Sequence, residues 1–394
     1  MYVIHANTGG FTMKGAPRLA FGLVFAVMSG TPLGVRVAWA EEALAVCTPP
    51  TTVAATPQET AWRLFVAATC PVNADKYPYV TWQNWIEQNQ LYGTGATQAL
   101  AAGERPRFHM SPLAAMLRAQ AKMHAHEKSK GAASETAAPE VANQNCNSDT
   151  WSKRTICEEA RLNADAQHYV ASNGLNTRPG QIAFITAGNS FVFPPPAVEL
   201  KADWIQLTSC NNLPQGVHVE KIGSVCYALG GIHLISKLID KWIWATFEPQ
   251  NTTTNSQRCK VLGCNDPWGS SPATSSGAPT KQTPALAALM QQAKLAPEWS
   301  NYRLDGVQTD FLDAKGQPTR LGNSIIEGDN AGNPQAMTRS SCISCHNLST
   351  INPQGQELNP AFIIGAPQPP PAGYVLRDFA WSLTLALPQP PANP

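Results

Sequence analysis

The sequence is short of charge. Lys, Arg, Asp and Glu make up 14% of its 394 residues, against about 25% in an average soluble protein. The two signs nearly cancel, with 28 bases and 27 acids. That balance gives no basic surface for nucleic acid or for an anionic membrane. The chain also lacks G-x-S-x-G, H-E-x-x-H and a Gly-rich phosphate loop. The usual signatures of serine hydrolases, zinc peptidases and nucleotide enzymes are therefore missing, and no internal repeat is visible. Between Asn347 and Pro394 there is no Met, His, Cys or Lys.

What is present first points to export. Lys14 and Arg18 precede an apolar stretch, Leu19–Met28, and Ala38-Trp39-Ala40 is an A-x-A cleavage site. The stretch is too short for a good membrane span. The reading is a signal peptide over 1–40 cleaved after Ala40, with Met1 or Met13 as the start and no transmembrane span in the mature chain. Residues 1–40 hold three bases (Lys14, Arg18, Arg36) and no acid. The remainder thus carries 25 bases and 27 acids, a net charge of −2.

Ten cysteines follow. Two lie in Cys342-Ile343-Ser344-Cys345-His346, the C-x-x-C-H spacing of c-type haem attachment. A two-residue gap puts both sulfurs on one helical turn, within reach of the two porphyrin vinyls, and His346 is then the proximal iron ligand. The competing readings are a disulfide or half of a zinc site. Zinc would want a second pair at ligand spacing, and Cys259 and Cys264 lie far upstream with a four-residue gap. The other eight cysteines form an even set in an exported chain and read as disulfides. Neighbour pairing, the simplest choice among 105, gives 47–70, 146–157, 210–226 and 259–264.

The patterning predicts an α+β fold: a helical N-terminal part, an antiparallel sheet in the middle and a helical C-terminal haem-bearing segment. The regions are 41–145, 146–265 and 285–387, expected to pack as one body. Helices are predicted over Thr60–Thr69, Val80–Leu91, Ser111–Glu127, Trp151–Ala171 and Ala285–Ala293 from apolar residues at helical spacing and from capping residues. Residues 131–145 and 269–284 read as linkers. Gln181–Thr186, Tyr227–Ile239 and Trp242–Phe247 read as strands. Val198–Trp204 alternates strictly and predicts a half-buried strand, with Glu199, Lys201 and Asp203 on its outer face. A last helix or strand falls at Tyr374–Leu387.

The motif in an exported chain resembles bacterial periplasmic monohaem c-type cytochromes. The Trp62–Phe65 helix, the Trp242–Glu248 strand and the Asp378–Leu383 end are also similar to uncharacterised members of the cytochrome c family. The resemblance implies one covalent haem c and carries over Cys342, Cys345 and His346 alone. It implies no known activity. Class I cytochromes c place a ligating Met downstream of the motif, and this chain has none there. A distal ligand must come from upstream. His233, an imidazole in the apolar run Gly230–Ile235, is the first candidate, because a buried imidazole needs a partner. Its neighbouring glycines would let a planar group approach. Met290 is the alternative. His109-Met110 is weaker, His124 and His126 read as solvated, and Met337 sits too near the motif to reach the distal face. Glu248 is a lone carboxylate with the bare option of carrying a proton. Catalytic residues are not assigned. The expected function is electron transfer to a redox partner protein. A haem oxidoreductase with an open distal site and a haem sensor or binding module are the alternatives.

Overall fold

In the computed structural model helix α1, Pro57–Thr69, forms where its cap predicts. The Thr56 hydroxyl accepts from the Glu59 N–H, and Pro57 fills the first turn, where a missing N–H costs nothing. The structure describes residues 45–72, 79–92, 146–148, 154–222, 224–250, 257–329, 336–358 and 362–386, all within one unit, Glu41–Pro394. The expected signal, the 111–127 helix and the 131–145 linker lie outside them. Among the described residues no helix is long and apolar enough to cross a membrane.

Among the described residues eight strands make one antiparallel sheet. They are β1 Ile86–Glu87, β2 Cys146–Ser148, β3 Thr155–Leu162, β4 Val198–Gln206, β5 Val219–Ile222, β6 Val225–Ser236, β7 Ile243–Pro249 and β8 Tyr302–Gln308. The order is β8-β7-β6-β4-β3-β1, with β2 beside β3 and β5 beside β6. The long strands are a meander in which each pairs with the next long one. The sheet draws on all three sequence regions, so it ties them together. Besides the short helix Gln88–Tyr92, the described residues form helices α2 Ala164–Ser172, α3 Arg178–Thr186, α4 Gln257–Leu262, α5 Pro284–Gln292 and α6 Cys342–His346.

Several expectations change. The helix expected over 151–171 is strand β3 followed by α2, which starts at the Asn163 cap. The Glu-Glu-Ala-Arg-Leu run favours helix locally, but pairing with β4 overrides it. Gln181–Thr186, expected as strand, is helical, because Thr177 caps α3 and Pro179 sits in its first turn. The helix expected over Val80–Leu91 is a 3₁₀ turn, Thr81–Asn84, then β1, then the short helix Gln88–Tyr92. The 269–284 segment carries short strand pairings rather than a bare linker. Strand β4 is not half-buried: both faces are covered.

Those two faces differ in chemistry. One presents Leu200, Ala202, Trp204, Ile232, Leu234, Phe247 and Leu304 to α1 and α5. Phe247 meets Trp62 at 5.1 Å and Phe65 at 4.5 Å between ring centroids. The other face packs on α2, α3 and the C-terminal segment through Leu162, Ile235, Trp244, Ile343 and Phe379. By alternation along the strands it also carries Glu158, Glu199, Lys201, His233, Glu248 and Asp305.

Phe247 is fully buried at the centre of the apolar layer. Phe247→Ala is expected to cost about 3–5 kcal/mol, read as a fall in the urea midpoint at unchanged slope. A loss well under about 1 kcal/mol would show that α1 and the sheet do not share a packed core.

Candidate functional site

Helix α6 begins at Ser341, and residue Gln308 at the end of β8 completes its cap. The Gln308 Oε1 accepts from the Ile343 N–H at 3.1 Å, and its Nε2 donates to Ser341 Oγ at 2.8 Å and to the Thr319 carbonyl at 3.0 Å. Ile343, fully buried, pins the helix from its inner side. Cys342 and Cys345 stand three residues apart on one helical face. They are the free cysteines among the described residues. Cys47–Cys70, Cys210–Cys226 and Cys259–Cys264 are joined as expected. Cys157 is also disulfide-bonded, and Cys146 lies opposite it in register. Burial raises the Cys342 thiol well above its ordinary value and Cys345 to about 11, so both are protonated at neutral pH.

His346 is held by its backbone-facing nitrogen. Nδ1 lies 2.7 Å from the Phe379 carbonyl. A carbonyl only accepts, so Nδ1 carries the proton and Nε2 presents a bare lone pair. Burial lowers the imidazole to about 4, which keeps it neutral at physiological pH. The carbonyl is aimed by two consecutive left-handed residues, Asp378 (φ 50°) and Phe379 (φ 66°). Non-glycine residues adopt this conformation at a cost of order 1–3 kcal/mol and need support. The Asp378 carboxylate supplies it, accepting from Lys237 Nζ at 2.6 Å and the Phe193 N–H at 2.7 Å. Trp244 lies against the His346 ring at 4.4 Å, and Trp381 Nε1 donates to the Cys345 carbonyl at 3.1 Å.

Both thiols and His346 line a cavity of about 300 Å³ whose opposite wall is the polar face of the sheet. Register sets Lys201, His233 and Thr246 side by side across β4, β6 and β7. Lys201 Nζ pairs with Glu158 at 2.7 Å. His233 Nε2 is 3.3 Å from Glu327 Oε2 without forming a hydrogen bond. Burial pushes Glu327 up, but His233, Lys201 and the Asn323 N–H outweigh it and hold the carboxyl below its ordinary value. Glu199 accepts from Ser382 Oγ at 2.6 Å, and burial raises it to about 7.

The structure therefore brings four sequence candidates together: Cys342, Cys345, His346 and His233. Met290 is not among them. It packs in the apolar layer with α1, and its sulfur accepts from Gln282 Nε2 at 2.8 Å. The glycines beside His233 serve the chain itself. A Cβ on Gly231 would stand 2.5 Å from Asn323 Oδ1, and one on Gly230 would crowd Ile205 and Ile325. Glu248 is fully buried and accepts from the Ser324 N–H and hydroxyl. His109, His124 and His126 lie outside the described residues. Sequence reading missed Glu158, Glu199, Lys201, Trp244, Glu327 and Trp381. Alternation in β4 marked the first charged row, but assigned it to solvent. Two thiols, one imidazole with a bare Nε2 and a second whose buried Nε2 lies 3.3 Å from Glu327, all facing one cavity, fit the donor set of a c-type haem. No family model, curated protein or solved structure matches the chain.

Glu199 gives a pH test. Unfolded, it ionises near 4.5; folded, near 7. Between those values the folded state binds more protons, so the group's contribution to stability falls as pH rises. Glu199→Gln removes that fall. Relative to wild type, the variant is expected to gain about 3 kcal/mol between pH 4 and pH 8, read from urea midpoints of both proteins. An unchanged difference would show that the carboxyl ionises normally.

Proposed function

We propose that the chain is an exported monohaem c-type cytochrome whose role is electron transfer to a redox partner protein. The observation that carries the reading is the convergence on one cavity of two unpaired thiols and an imidazole anchored through Nδ1. The N-terminal signal and the disulfides support the compartment, since both belong to an oxidising space. The haem would supply the reversible iron couple. Cys342 and Cys345 would each add their S–H across a vinyl double bond, a step that is redox-neutral. His346 would ligate through Nε2, its orientation fixed by the Phe379 carbonyl as ligating histidines commonly are by an outer partner. His233, on the facing sheet wall, would be the second imidazole available to hold the iron.

The Glu327 contact at His233 Nε2 favours a second reading, a haem oxidoreductase. An imidazole paired with a carboxylate is suited to carry a proton in a cavity that keeps an open position. Spectra separate the two. Matured protein is expected to gain the mass of one haem and to keep it through acid–acetone extraction. A mass without haem, or extractable haem, ends both readings. In the electron-transfer reading the ferric protein is low-spin with two imidazoles, and His233→Ala turns it high-spin, seen by near-infrared magnetic circular dichroism. A wild type that is high-spin and binds cyanide decides for the oxidoreductase.

A further inference from the structure

A second cavity, of about 510 Å³, opens beside the Cys259–Cys264 disulfide. Its walls include Cys264, Asp305, Arg258 and Arg320. Cys259 is fully buried and is not among the lining residues, whereas Cys264 lines the cavity. Asp305 Oδ1 lies 3.2 Å from the Cys259 sulfur and 3.4 Å from that of Cys264. Arg258 Nη1 is 4.0 Å from Cys264 Sγ, and its buried Nε has no hydrogen-bond partner.

This arrangement is ill-suited to a disulfide that only joins two segments. Disulfide sulfurs carry no proton, so a carboxylate oxygen placed beside both gains nothing from them. The same oxygen is well placed for a pair of thiols. Arg258 stands by Cys264, so its guanidinium helps that sulfur leave as a thiolate when a mixed disulfide on Cys264 is resolved. The loop is short, with a sequence separation of 5 against 23 and 16 in the other two described disulfides. Opening it frees the unfolded chain least of the three.

We propose that Cys259–Cys264 is an exchangeable disulfide, reduced in the folded protein by an exogenous thiol or dithiol that enters through the second cavity. The entering thiolate attacks Cys264 Sγ, forming a mixed disulfide and breaking the Cys259–Cys264 bond. Cys259 leaves as a thiolate and takes a proton through Asp305. A second thiolate then attacks the entering sulfur, releasing Cys264 beside Arg258. The reductant ends as its own disulfide, and the two protons it gives up end on Cys259 and Cys264. Glu248 faces Asp305 from β7, while Arg303 on its own strand and Arg258 on α4 face it as cations. Burial keeps Glu248 raised well above its ordinary value, with Asp305 adding to the rise.

The test uses the full chain in native buffer, independent of haem. Dithiothreitol is added in steps, thiols are trapped with N-ethylmaleimide, and peptides are weighed. Cys259 and Cys264 are expected to be labelled while Cys47–Cys70 and Cys210–Cys226 stay joined and tryptophan fluorescence is unchanged. Reduction only together with the others, or only in urea, overturns the proposal. Asp305→Asn is expected to slow the reduction about tenfold, and an unchanged rate removes Asp305 from the exchange. Should that variant not fold, the wild type still decides. With a monothiol, the trapped mixed disulfide is expected on Cys264, and one found on Cys259 overturns the assigned direction.

Discussion

Every long strand of the sheet is covered on both sides, and one of those sides carries most of the buried charge. That constraint shapes the rest of the molecule. An antiparallel sheet ordinarily keeps its polar face in water. Here Glu158, Lys201, His233 and Glu248 lie under the C-terminal segment, and buried charges persist only when paired. The segment supplies the partners: Ser324 for Glu248, Glu327 for His233 and Ser382 for Glu199. It is held in place by the groups it neutralises. The cavity at the thiols is the part of this polar interface that side chains do not fill.

The thiol side of the cavity is built with more constraint than the sheet side. His346 owes its tautomer to one carbonyl, and that carbonyl owes its direction to two left-handed residues. Lys237 and Asp378 pay for that backbone by an ion pair that is itself buried. Gln308 fixes the start of α6 from the end of a sheet strand rather than from the helix's own cap residue. Each element of the motif is thus tied to a different part of the fold. Imidazole, thiols and Trp244 cannot shift independently.

The motif and the apolar layer were legible from the sequence, and the polar layer was not. Helices α1 and α5 follow from a Thr cap, a Pro in the first turn and apolar residues three and four apart, all local signals. The C-x-x-C-H spacing is local too. Strand β3 was misread because Glu158, Glu159, Ala160, Arg161 and Leu162 favour helix, and only partners distant in sequence make them a strand. Alternation puts Glu199, Lys201 and Asp203 on one face, but it tells which residues share a face, not what covers that face. The cover arrives more than a hundred residues later. His233 stands out in the sequence as an imidazole in an apolar run, but its glycines make room for Asn323 and Ile325.

One short stretch, 323–327, connects the two ends of the polar face. Asn323 donates to Thr246 Oγ1 at 2.9 Å, Ser324 donates to Glu248, and Glu327 reaches His233. Thr246 and Glu248 are alternate residues of β7, so they stand on the same face about 7 Å apart. Glu248 continues to Asp305 and the Cys259–Cys264 pair, while Thr246 lies beside His233 in register. A displacement of this stretch would therefore strip partners from both cavities at once. Asn323 resists it by accepting from the Ile325 and Ile326 N–H groups while donating to β7. The close approach this requires is possible because position 231 carries no side chain. The glycine beside His233 thus acts on the cavity through the chain segment it admits.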